Sequence, residues 1–142
     1  MVPFLAATYF YIAALQGQLA QHNVYVLNES KTCQEMPDLL GAYLPDPRLL
    51  LICESKLGSA EEYLSVLKHE SIHVIQTCGT GTRLLDPADS KMDDIDKSEA
   101  SLVRGSYDPE VHDMEAEARY YGDKLTAREI ISLLSKACKR SW

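Results

Sequence analysis

The sequence predicts an α+β fold built as a single domain over residues 1–142. Two observations lead there. Several segments carry helix caps at one end and a stop signal at the other, and two short extended runs flank a Pro-Asp-Pro turn. Hydrophobic residues make up 46% of the chain and charged residues 25%, which is enough apolar material for a core and too little charge for a disordered chain.

In chain order, residues 4–21 are rich in Ala, Leu and aromatics and read as a helix. The apolar run up to Leu15 has no positively charged start and ends at Gln16, Gln18 and Gln21, so it reads as a helix packed on the core. It lacks the pattern of a signal peptide or membrane span. Asn23 to Leu27 (NVYVL) is β-branched and aromatic, a strand pattern. Residues 28–41, with Asn28, Ser30, Pro37, Asp38 and Gly41, read as a loop with a helical turn. Ala42–Leu44 and Arg48–Cys53 then form a hairpin around Pro45-Asp46-Pro47, with proline kept where no ladder donor is needed and the second run the better buried.

The strongest helix signal follows. Ser59 and Glu62 have the spacing of a capping box, residues 60–77 contain neither Gly nor Pro, and Cys78-Gly79 ends the run. Tyr63, Val66, Leu67, Ser71, Val74 and Ile75 trace its apolar face. Residues 79–107 are irregular, with acidic residues between Asp86 and Asp96, and are expected to hold a short helix near 91–103 or to act as a flap. Asp108-Pro109 opens another helix, with Gly122 as its expected stop. Thr126 and Glu129 cap a last amphipathic helix from Ala127 to about Cys138.

Charge and cysteine usage narrow the function. A net charge of −7 opposes a phosphate-binding surface, and only Lys136, Lys139 and Arg140 form a basic cluster, so nucleic acid is not expected as a partner. Cys33, Cys53, Cys78 and Cys138 show no CxxC or CxxH spacing. They read as buried free thiols of a cytoplasmic protein.

His69-Glu70-Ser71-Ile72-His73 is an HExxH motif inside the best-defined helix. Residues four apart share a helix face, so both imidazoles can chelate one zinc ion. Glu70, one residue on, can reach a water that the metal acidifies and accept its proton. A third ligand is needed, and the HExxHxxGxxH continuation is absent because Thr80 follows Gly79. The downstream helix offers His112, Asp113, Glu115 and Glu117.

These residues resemble the gluzincin branch of zinc metallopeptidases, including its very small members and regulatory proteases of prophage and stress systems. In that branch a later helix supplies a glutamate in an ExxA context, which here selects Glu115 as ligand and Ala118 as the close-packing residue. Glu117 is then left as a solvated surface residue. The resemblance spans about residues 40–122 and implies a minimal zincin-like domain. Its expected parts are an N-terminal helix, a small sheet with a hairpin, an active-site helix, a glutamate helix and a C-terminal helix. It implies a zinc-dependent hydrolase of a peptide or protein substrate, with no membrane partner. The alternative is a zincin-fold regulatory or interaction module that binds metal without cleaving peptides. One departure stands out: Arg119 occupies the position where related sites place Asp or Asn to orient a histidine. Support for the ligands must come from elsewhere. An edge strand for substrate is expected in Ala42–Leu44 or Arg48–Cys53. Tyr107, Tyr120, Tyr121 and His112 are the nearby candidates for an oxyanion donor, each of which also suits a structural role. The sequence leaves oligomeric state open.

Overall fold

The structure, a computed structural model, describes residues 2–78 and 109–138. The expected flap, the helix near 91–103 and the cap at Asp108 lie outside the described residues. The described elements are α1 (Val2–Gln21), β1 (Tyr25–Asn28), α2 (Lys31–Glu35), β2 (Gly41–Leu44), β3 (Leu49–Ile52), a 3-10 turn (Glu54–Lys56), α3 (Ala60–Thr77), α4 (Pro109–Lys124) and α5 (Ala127–Ala137). This is the expected α+β architecture, with the HExxH helix at its centre: α1, α4, α5, β2 and β3 all pack on α3.

Helix α1 buries Ile12, Leu15 and Leu19 and so docks on the core, as its composition predicts. It ends where Asn23 turns into the left-handed region (φ 63°) and the Val24 amide bonds back to the Leu19 carbonyl, a glycine-type C-cap for which Asn is the usual substitute. A polar chain ties three elements together here. Gln16 donates to the Tyr63 hydroxyl, which donates to Asn28 at the end of β1.

The sheet has the order β1-β3-β2, with β3 parallel to β1 and antiparallel to β2. The hairpin forms as expected, but β3 is paired on both sides, so the Arg48–Cys53 run is a central strand and, of the two expected runs, only β2 lies at an edge of the described sheet. Strand alternation explains the burial of β3. Leu50 and Ile52 point into the main core with α3, while Leu51 and Cys53 meet Cys33, Leu27 and Leu39 on the opposite face.

A disulfide between Cys33 and Cys53 fastens the short helix α2 over that second face. A second disulfide joins Cys78 at the C-cap of α3 to Cys138 at the C-cap of α5. All four cysteines of the chain are therefore paired, and the expectation of free thiols is wrong. Spacing could not reveal this, because the pairings depend on which helix ends the fold brings together.

Three local expectations hold and two need correction. Ser59 caps α3, Thr126 and Glu129 form a reciprocal capping box on α5, and the α2 turn begins at a Ser30 cap. Glu62 reaches one residue further back than a capping box requires, to the Gly58 amide, while Ser59 still accepts from the Glu62 amide. Gly122 does not stop α4, which runs on to Lys124. Its role is steric: a Cβ at this position would lie 3.1 Å from His69 Cα and 3.4 Å from His69 N, so the missing side chain sets the closest approach of α4 to α3.

Two glycine substitutions should therefore act in opposite directions. Gly17→Ala lies in α1 with nothing within 4 Å of the new Cβ, and should stabilise by up to about 1 kcal/mol through helix propensity. Gly122→Ala gains the same propensity but must push two backbones apart, for a net loss of about 1–2 kcal/mol. Urea unfolding of both variants measures the contrast. Replacing Cys78 and Cys138 together by Ala should cost about 2–4 kcal/mol in the same assay.

Candidate metal centre

Helix α3 is enclosed on most of its circumference from Leu67 to Gln76, which is why it tolerates a polar stripe only where partners exist. His69 and His73 lie one turn apart on that stripe, their ring centroids 5.1 Å from each other and nearly perpendicular. Across from them, α4 presents Glu115. Its Oε1 is 2.6 Å from His69 Nε2 and its Oε2 is 3.1 Å from His73 Nε2. Glu115 can reach because α4 lies so close, with Ala118 fully buried one turn on and Gly122 against the His69 backbone.

One donor atom from each of these residues falls within 4.8 Å of the others, the only such group of three among the described residues. Two imidazole nitrogens and a carboxylate oxygen are a donor set that suits zinc and leaves a fourth position for water. The expected residues thus come together as a zincin-type triad in a minimal gluzincin-like fold. Glu70 is buried, and its Oε2 lies 4.0 Å from His69 Nε2, so a second carboxylate faces the same point without occupying the ligand position.

The electrostatics follow from these distances. Burial opposes charge on His73, but the hydrogen bond to Glu115 and the nearby Glu70 outweigh it and raise its pKa to about 9. Burial likewise opposes charge on Glu115, yet its bonds to His69 and His73 hold it well below the usual carboxylate range. In the metal-free protein the triad is an ion-paired cluster in which a proton on His73 takes the place of a cation.

Glu117 is not the solvated residue that the sequence suggests. It is fully buried, and its Oε1 accepts from Gln76 Nε2 at 2.9 Å. Gln76 also donates to the Met114 carbonyl at 3.0 Å, and its Oε1 lies 2.7 Å from His73 Nδ1. Sequence reasoning missed Gln76, whose one available signal was its place three residues after His73 on the same helix. Tyr121 packs against the main core, and Tyr120 stacks edge-on with it. Tyr107 lies outside the described residues, as does the side chain of His112.

Among the described residues no helix is long and apolar enough to cross a membrane. The model of the family described as Domain of unknown function (DUF8637) matches residues 4–139. No curated protein and no solved structure matches the chain.

The pKa directions make a signed prediction for the metal-free protein. The His73 contribution to stability is fully present below the ordinary histidine value of 6.5 and is lost as pH rises through about 9. The Glu115 contribution is present above its ordinary value of 4.5 and is lost as pH falls. Thermal melts in chelator should therefore show a falling melting temperature from about pH 6.5 to 9. Added zinc should reverse the trend, since binding must displace the His73 proton and strengthens as that proton leaves. A flat metal-free profile across this window would contradict the pairing.

Proposed function

The chain belongs to the DUF8637 family, and we propose that this member is a zinc-dependent hydrolase that cleaves peptide bonds. The observation that supports this reading is the buried carboxylate of Glu70 beside a complete His-His-Glu donor set. His69, His73 and Glu115 are the proposed metal ligands and Glu70 the catalytic carboxylate. Zinc held there would acidify a water towards neutral pH and polarise a substrate carbonyl. Glu70 then accepts the proton of the attacking water and delivers it to the departing amine nitrogen. Its burial keeps the carboxylate from being solvated away from that task.

The proposed substrate is an extended peptide bound beside this centre. Strand β2 has one side unpaired in the described sheet and runs alongside the catalytic turn. A Cβ at Gly41 would lie 2.7 Å from Val66 Cγ1 and 3.3 Å from Glu70 Cγ. A substrate adding to β2 by main-chain hydrogen bonds would therefore pass near Glu70. The two disulfides favour an oxidising compartment over the cytoplasm that the thiol reading implied.

Glu70→Gln separates catalysis from metal binding. The variant should hold zinc as the wild type does and lose about 10²- to 10⁴-fold in cleavage of a mixed peptide library followed by mass spectrometry. Equal cleavage by both proteins would remove Glu70 from the mechanism. Stoichiometric zinc with no cleavage by the wild type would make the chain a metal-binding module instead.

A further inference from the structure

Gln76 contacts both ligand-bearing helices at once, and this points to a role that none of the three ligands can fill. Its amide orientation is fixed by its surroundings. The Met114 carbonyl can only accept, so the Gln76 NH2 group must face α4, where it also meets the Glu117 carboxylate. The Gln76 carbonyl oxygen is then the atom that faces His73 Nδ1 at 2.7 Å, and Nδ1 must carry the proton. With Nδ1 occupied in this way, His73 has only Nε2 to offer the metal, and Nε2 is the nitrogen that points to Glu115.

The second contact lies on the other helix. Met114 is the residue before Glu115, so the bond from Gln76 to its carbonyl holds the backbone from which the third ligand projects. Gln76 is 1% exposed and Glu117 0%, so neither side chain faces bulk water. A glutamine and a glutamate with no solvent access are costly in an apolar interior unless each bond is made.

We propose that Gln76, braced by Glu117, is the positioning residue of the metal centre: it fixes the tautomer of His73 and the placement of Glu115 together. The inference rests on the metal-centre reading above and deepens it.

Zinc affinity, measured by competition with a chromophoric chelator, tests the proposal without reference to activity. Gln76→Met keeps the volume and removes all three of these side-chain bonds, and should weaken zinc binding about 10- to 100-fold. Gln76→Glu combined with Glu117→Gln restores an acceptor for His73 and a bond between positions 76 and 117, and should recover part of that loss. Long-range proton–nitrogen NMR of the zinc-loaded wild type adds a readout that needs no variant. It should show His73 protonated at Nδ1 and metallated at Nε2. Wild-type affinity in Gln76→Met, or metallation of His73 at Nδ1, would overturn the positioning role while leaving the metal centre intact. Failure of the wild type to bind zinc stoichiometrically would overturn both.

Discussion

The turn of α3 that carries His69 and Glu70 is clamped between two backbones that come unusually near it. On one flank β2 approaches at Gly41, where any side chain would collide with Val66 and crowd Glu70. On the other flank α4 approaches at Gly122, where a Cβ would press on the His69 backbone. The rest of the site depends on these two contacts. A glutamate side chain is short, and Glu115 meets both imidazoles only because α4 lies at this distance. The same proximity on the sheet side buries Glu70 and sets an edge strand of the described sheet beside it.

Clamping also brings a cost that the polar network offsets. Glu70, Gln76 and Glu117 are all buried, along with the Ser71 hydroxyl, and the interior of a small protein has few ways to satisfy them. Ser71 bonds back to the Leu67 carbonyl within its own helix. Gln76 spends its carbonyl oxygen on His73 and its amide on α4. The triad itself is closed by ion pairing when no metal competes, which is the physical origin of the raised His73 pKa of about 9. A site arranged this way is held in shape before any ion arrives, and preorganisation of that kind reduces what metal binding must supply.

Away from the centre, two disulfides do what a larger core would otherwise do. One closes the back of a three-stranded sheet with a five-residue helix, and the other locks the end of the HExxH helix to the end of the last helix. The second lies five residues beyond His73, counted from the positions of Cys78 and His73, so it restrains the frame of the ligand helix as well as the fold.

The sequence by itself determined the parts that local physics controls. Caps at Ser59 and Thr126, the period of α3 and the Pro-Asp-Pro turn placed the helices and the hairpin, and the spacing of His69 and His73 placed two ligands on one face with the Glu70 carboxylate one residue on. Glu115 was legible only through resemblance to a family pattern, since Glu117 has the same chemistry two residues on. What the tertiary structure alone decided are relations between residues far apart in the chain. Glu115 meets His69 across 46 positions and Gln76 meets Glu117 across 41, and no local pattern reports such contacts. The same reason hid the cysteine pairing and turned Gly122 from a helix stop into a contact point. A glycine, a glutamine or a cysteine takes its role from what the fold sets against it, and that partner is absent from its own neighbourhood in the sequence.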